Sequence, residues 1–156
     1  MNLSDLFEYR DGDLYWKIKR SSATKLDKPA GYMSCGGYRS VEIKEVGQLK
    51  VHRIIWELHH GPIPEGLEID HINRIRDDNR IENLRLCDHA QNAWNRVHHA
   101  KNKYPGVQFI EKSKKYRARI NYYGKKLHIG YFDTLEEASD AYKKKQQELH
   151  GEFAYD

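Results

Sequence analysis

A polar segment of twelve residues, HINRIRDDNRIE (71–82), limits the folds open to this chain more than any other feature. It separates two short apolar runs, LEID (67–70) and NLRLC (83–87), which have the composition of β-strands. Ordering such a polar connection is unfavourable in conformational entropy. The segment is therefore either a plain surface loop or a loop whose polar groups converge on a ligand.

Helices are predicted on both sides of this strand–loop–strand unit. DHAQNAWNRVHHA (88–100) follows it and begins with Asp88, a favourable N-cap. VHRIIWELHHG (51–61) precedes it and ends in a glycine stop, which predicts a helix over residues 51–60. Residues 1–50 predict a small antiparallel sheet from three apolar-aromatic runs, LYWKI (14–18), AGYM (30–33) and YRSVEI (38–43).

The last fifty residues have a pattern of their own. Three strands are predicted, GVQFI (106–110), KYRARINYY (115–123) and KKLHIGYF (125–132). The helix over residues 133–151 begins with a capping box, Thr134 and Glu137. KNKYPG (101–106) is typical of a linker. We therefore expect an α+β protein with domains at residues 1–100, with the strand–loop–strand–helix core at about 67–100, and at 104–156.

The distribution of charge favours a polyanionic partner. The net charge is only +4, yet residues 101–132 contain nine basic side chains and one acidic one. Residues 1–100 are balanced, and residues 133–156 carry seven acidic against three basic side chains. Nucleic acid is the simplest partner for such a segment, and a solvated basic face is the alternative.

Other protein classes fit poorly. No apolar run approaches the length of a membrane span, and the N-terminus lacks a signal-peptide pattern. Cys35 and Cys87 have no CxxC partners, which argues against a zinc knot and a disulfide framework. We expect a cytoplasmic protein without membrane association.

Four polar side chains around the loop could form a catalytic site. Asp70 and an amide oxygen of Asn92 are hard ligands suited to Mg²⁺ or Mn²⁺, and a neutral His71 could take a proton from water. Asn83 would brace the loop backbone and so aim His71. Neighbouring side chains on a strand diverge, so Asp70 and His71 can share a site only if the strand bends at its end. Each residue also has a plain structural explanation as an exposed or turn position.

The segment VHRIIWELHHGPIPEGLEIDHINRIRDDNRIENLRLCDHAQNAWN (51–95) resembles the HNH homing-endonuclease family. That resemblance implies a ββα-metal (His-Me finger) hairpin. By position it makes His71 the general base, Asp70 and Asn92 the ligands of one divalent metal, and Asn83 the brace. Asn95 and Arg96 become candidate phosphate contacts, and His52 a supporting residue. Similar enzymes are phage-encoded, so a phage or bacterial origin is implied.

Alternation along the last two strands predicts a basic face on the C-terminal sheet. Arg117, Arg119 and Asn121 should share one face of their strand, and Lys126, His128 and Gly130 one face of the next. The other face would receive the helix. Such a sheet can enter the major groove of DNA, where Arg and Asn read bases and Lys contacts phosphate.

The segment YPGV…KYRARI…LHIGYFDTLEEASDAY (104–142) resembles the AP2 (ethylene-response-factor) DNA-binding domain. The resemblance places the DNA-facing positions at Gln108, Arg117, Arg119, Asn121, Lys126 and His128. Gln108, Arg119 and His128 depart from the family's Arg, Glu and Trp, so its base preferences do not transfer. Similar modules follow HNH nuclease domains.

Two functions remain open from the sequence. The first is a metal-dependent endonuclease that nicks or cuts double-stranded DNA as a monomer or weak dimer. The second is a regulatory DNA-binding protein that keeps the hairpin only as a scaffold. The complete set of Asp70, His71, Asn83 and Asn92 favours the first. An RNA-binding function has less support, because the basic face has few aromatic side chains on which bases could stack.

Overall fold

The computed structural model describes residues 2–95 and 104–154. Its contacts divide the chain into two compact units, Met1–His89 and Ala90–Asp156. The chain is α+β, with several small antiparallel sheets. Among the described residues, no helix combines the length and apolar character needed to cross a membrane.

The first unit contains three small sheets and one long helix. Its elements are α1 (Leu3–Leu6), β1 (Phe7–Arg10), β2 (Asp13–Trp16), β3 (Tyr32–Met33), β4 (Arg39–Ile43), β5 (Gly47–Lys50), α2 (Val51–His60), β6 (Glu68–His71) and β7 (Leu84–Cys87). The strands pair as β1–β2, β3–β4–β5 and β6–β7, all antiparallel. The prediction of a single sheet over residues 1–50 was wrong, because β1 and β2 form a hairpin separate from β3–β5.

Helix α2 is the centre of the first unit. Val51, Ile54 and Ile55 are at most 1% exposed and pack with buried residues from the flanking sheets. Ile69 of β6 and Leu84 of β7 belong to the same core. Each fully buried aliphatic side chain contributes roughly 1.5–3 kcal/mol, so this core fixes the β6–β7 hairpin against α2.

The second unit is a three-stranded sheet covered by one helix. Its elements are α3 (His89–Trp94), β8 (Val107–Ile110), β9 (Lys115–Tyr122), β10 (Lys125–Phe132) and α4 (Leu135–His150). The strand order is β10–β9–β8, and α4 packs on β9. The three strands and the capping box of Thr134 with Glu137 are confirmed.

The boundary between the two units lies near the start of helix α3, after His89. The helix was expected in the first domain, yet from Ala90 onward it belongs to the second unit. The ring of Trp94 stacks on His150 of α4 at 4.1 Å and on Tyr122 of β9 at 5.3 Å between centroids. These contacts explain why the helix groups with the C-terminal sheet. The predicted helix residues 96–100 and linker residues 101–103 lie outside the described part of the chain.

A β-bulge corrects the predicted face of β10. The register shifts between His128 and Gly130, so Gly130 pairs with buried Ala118 and Tyr131 pairs with Arg117. Directly paired residues share a face, which places Gly130 on the side of α4 and Tyr131 with Arg117. The assignment of Gly130 to the basic face was therefore wrong.

Gly106 lies where β9 and α4 leave no room for a side chain. Its backbone has a φ of 70°, and its carbonyl accepts a hydrogen bond from Arg119 N at 3.0 Å. A Cβ here would lie 2.2 Å from Cε2 of Tyr142 and 2.4 Å from the carbonyl oxygen of Arg119. Only glycine satisfies both the backbone conformation and the close approach.

We predict that Gly106→Ala destabilises the second unit. The positive φ alone costs about 1–3 kcal/mol for a residue with a side chain, and the overlap with Tyr142 adds to this loss. Thermal and urea unfolding followed by circular dichroism measure the effect. Gly124→Ala is the control, because Gly124 has a φ of 77° and open space around it among the described residues. Equal losses in the two variants would show that the close approach is unimportant.

Candidate functional site

His71 is held in one orientation at the end of β6. The residue is 4% exposed, and its Nε2 lies 3.0 Å from Oδ1 of Asn79, which is 2% exposed. A carbonyl oxygen only accepts, so Nε2 is the donor in this pair and the neutral ring has its lone pair on Nδ1. Burial lowers the pKa of His71, against the opposing effects of the Asn79 hydrogen bond and the charges of Asp70 and Asp78. The ring is therefore neutral at pH 7 and able to accept a proton.

His52 of α2 forms the wall behind His71. The two rings meet edge to face at 4.9 Å, and the ring of Tyr38 lies 5.4 Å from His52. Burial lowers the pKa of His52 from 6.5 to about 3, and the nearby charges of His71, Lys50 and Arg53 act in the same direction. His52 thus stays neutral at every pH near 7 and packs as an aromatic residue beside His71.

Asp70 is buried in an ion pair with Arg85, its partner across the ladder. Oδ2 of Asp70 lies 3.0 Å from Nε and 2.9 Å from Nη2 of Arg85, and both residues are at most 9% exposed. The β6–β7 register is regular from Glu68 to His71. The ladder therefore has no bulge between these residues, and a site shared by Asp70 and His71, which requires a bend at the strand end, stays a prediction.

Asn83 closes the polar loop through its amide. Its Oδ1 accepts from Asn73 N at 3.0 Å, and its Nδ2 donates to Asn73 Oδ1 at 3.0 Å and to the carbonyl of Asp78 at 2.7 Å. These bonds hold both ends of the loop that carries Asn79. Asn79 is thus a site residue that bonds to His71, and no sequence pattern assigned it a role.

Asn92 and Asn95 lie in the second unit. Asn92 is half-buried in α3, and Asn95 is 4% exposed directly after it. Arg96 lies outside the described residues. Since Asp70 and His71 belong to the first unit, a metal site shared with Asn92 stays a prediction. Within the described ranges, no group of three or more His, Cys, Asp and Glu side chains could hold a metal ion.

The C-terminal sheet carries a basic concavity. Arg117, Arg119, Lys126, His128 and Tyr131 line an open depression of about 400 Å³. Nη2 of Arg117 donates to Oε1 of Gln108 at 2.8 Å, and Asn121 is exposed opposite Lys126. Within the described chain, no carboxylate pairs with Arg117, Arg119 or Lys126. The face thus carries uncompensated positive charge. Tyr131 also lies on this face, although strict strand alternation predicts it on the opposite one.

We predict that His52 makes the first unit sensitive to acid. Its pKa is lower in the folded than in the unfolded chain, so its contribution to stability is full above pH 6.5 and falls as the pH drops toward 3. Between pH 7 and pH 5 this one group accounts for a loss of about 2 kcal/mol in the free energy of unfolding. Urea unfolding of the parent and His52→Gln at both pH values measures it.

The variant should lose less stability between pH 7 and pH 5 than the parent. His60→Gln, an exposed position on the same helix, is the control and should keep the parental pH dependence. Parallel losses in parent and His52→Gln would contradict the buried neutral state of His52.

Comparison with known proteins identifies the segment that contains this site. Residues 49–94 match the family model described as HNH endonuclease. Protein 3.8 of Escherichia phage T7 is 34% identical over 106 residues, which cover 66% of this chain and 86% of that protein. A protein of Acanthamoeba polyphaga mimivirus named as an uncharacterized HNH endonuclease is 33% identical over 111 residues, 70% of this chain and 58% of that protein. No solved structure matches. Residues 49–94 of this chain are therefore a domain of the HNH endonuclease family.

Proposed function

We propose that this protein is a metal-dependent endonuclease that hydrolyses phosphodiester bonds of double-stranded DNA. The observation that carries the proposal is the buried, neutral His71, whose ring is fixed by a hydrogen bond to buried Asn79. A ring held in this way can act as a general base near pH 7. The HNH endonuclease domain at residues 49–94 supports a nuclease that acts on DNA.

Three side chains prepare the base, Asn79 and Asn83 of the polar loop and His52 of α2. His71 takes the proton of the attacking water on Nδ1, the nitrogen that Asn79 leaves without a proton. Asn83 holds the loop ends together, which keeps Asn79 in place. His52 supplies an apolar, uncharged neighbour, since a second cation beside His71 would oppose protonation of the base.

Asp70 and Asn92 are the proposed ligands of Mg²⁺ or Mn²⁺. The bound ion would neutralise charge on the scissile phosphate and on the leaving oxygen. A carboxylate and an amide oxygen are the hard donors that such ions prefer, and Asp70 is fixed by Arg85. Arg85 orients the carboxylate and competes with the ion for Oδ2. Asn95 and Arg96 are proposed phosphate contacts.

The second unit is proposed to position the DNA. Its sheet presents Gln108, Arg117, Arg119, Asn121, Lys126 and His128, the positions expected from the AP2 resemblance. The family match ends at residue 94, so the AP2 assignment is part of this proposal. The unpaired charge of the basic face supports binding to phosphates and to the edges of guanine in the major groove. A homing-type enzyme of phage origin, active as a monomer or weak dimer, fits this arrangement.

We predict that His71→Ala abolishes cleavage and leaves DNA binding nearly intact. Loss of a general base lowers the rate by about 10²–10⁴-fold, whereas His71 is buried and adds little to affinity. Nicking of supercoiled plasmid with Mg²⁺ or Mn²⁺ measures the rate, and EDTA should stop the reaction. His60→Ala, at an exposed position of α2, is the control.

A His71→Ala variant that cuts like the parent would refute the assignment of the base. A parent that binds DNA without cutting it would favour a regulatory DNA-binding protein.

We predict that Arg117→Ala and Arg119→Ala each weaken binding to duplex DNA by roughly 1–3 kcal/mol. Binding of the parent should also fall steeply with salt, because phosphate contacts release counterions. Fluorescence anisotropy with a labelled duplex at several salt concentrations measures both effects. Lys143→Ala, at an exposed position of α4, should bind like the parent. Salt-independent affinity would show that the basic face does not contact DNA.

A further inference from the structure

Tyr38 forms an aromatic platform next to His71. Its ring centroid lies 6.1 Å from that of His71 and 5.4 Å from that of His52. Two cations lie over the same ring, with Nζ of Lys50 at 4.3 Å and Cζ of Arg76 at 5.1 Å from its centroid. Two positive charges from different parts of the unit therefore lie over a ring that neighbours the proposed base.

These two cations keep their charge available. Both residues are exposed, and no carboxylate in the described part of the chain pairs with either of them. The carboxylates that follow Arg76 are engaged elsewhere, Asp77 by Arg39 at 3.4 Å and Asp78 by Arg80 at 2.7 Å. A guanidinium that lacks a carboxylate partner and faces solvent has its full charge free for an external anion.

The position of Arg76 is also fixed. Its Nη1 donates to the carbonyl of Gly36 at 2.7 Å, which joins the polar loop to the turn before β4. That hydrogen bond uses one donor and leaves the remaining guanidinium donors for a ligand. Lys50 is held at the start of α2, directly before the buried Val51. Tyr38 thus keeps two anchored cations on the side of the unit where His71 lies.

We infer that Lys50 and Arg76 form a phosphate-binding site for the DNA strand that passes His71. The identity of the ligand as DNA rests on the proposed function, and the geometry supplies the location. A phosphate bound by these cations would lie close to the proposed base, whereas the basic face of the second unit binds DNA independently. The polar loop therefore has two roles, to orient His71 through Asn79 and to hold the strand through Arg76.

The cations could instead serve only to stabilise the unit through their contacts with Tyr38. Such cation–π contacts are worth about 0.5–1 kcal/mol at exposed sites. A structural role predicts that Lys50→Ala and Arg76→Ala change stability and leave the salt dependence of DNA binding unchanged. A phosphate contact predicts that each alanine variant has a weaker salt dependence, whatever its effect on stability. It also predicts that Arg76→Lys retains most of the salt dependence because the charge remains.

The test measures binding of the full-length protein to a labelled DNA duplex over a range of salt concentrations. Each of Lys50→Ala and Arg76→Ala should reduce the slope of log affinity against log salt by about 0.9, the value for one lost phosphate contact. The double variant should lose about twice that amount. Lys44→Ala, at an exposed position after β4, is the matched control and should keep the parental slope. Thermal unfolding verifies that the variants are folded.

Cleavage provides the second measurement. With supercoiled plasmid and Mg²⁺, both alanine variants should raise KM several-fold more than they lower kcat. Slopes and KM values equal to those of Lys44→Ala would overturn the inference while leaving the proposed nuclease intact. A parent that does not cleave, combined with reduced slopes in the two variants, would refute the nuclease and retain the phosphate contact.

Discussion

Burial of the β6–β7 hairpin against helix α2 is the constraint on which the rest of the first unit depends. Ile69 and Leu84 join the helix residues Ile54 and Ile55 in one core. The same packing places His71 against His52 and removes both rings from water. One set of apolar contacts therefore fixes the position of the proposed base and lowers its affinity for protons. The hydrogen bond from His71 to Asn79 then fixes the orientation of the ring.

The described ion pairs separate cations that carboxylates neutralise from cations whose charge remains available. Arg39, Arg80 and Arg85 of the first unit are paired with carboxylates, and Arg85 is buried with Asp70. Lys50 and Arg76 instead lie over an aromatic ring and face solvent. A carboxylate beside them would cancel the charge that a polyanion requires. The total charge of +4 conceals this division, because paired and unpaired cations count equally in it.

Sequence patterns predicted the regular parts of the structure. Helix α2, the β6–β7 strands and the capped helix α4 follow from helical spacing, strand composition and N-cap chemistry, which are local properties. Two features escaped because they depend on contacts between distant residues. The bulge in β10 moves Tyr131 to the basic face, although strict alternation assigns it to the opposite side. Asn79 lies in the same polar loop as Asn83, and no local pattern shows which of the two amides meets His71.

Helix α3 has a consequence for how such proteins can be rearranged. Trp94 stacks on rings of α4 and β9, so the helix that bears Asn92 gains its packing from the C-terminal sheet. A recombination event that exchanged the C-terminal sheet and α4 after residue 95 would separate this helix from its supporting aromatic residues. A junction before Ala90 would transfer helix and sheet together. Chimeras that exchange the second unit should therefore be joined at that earlier position.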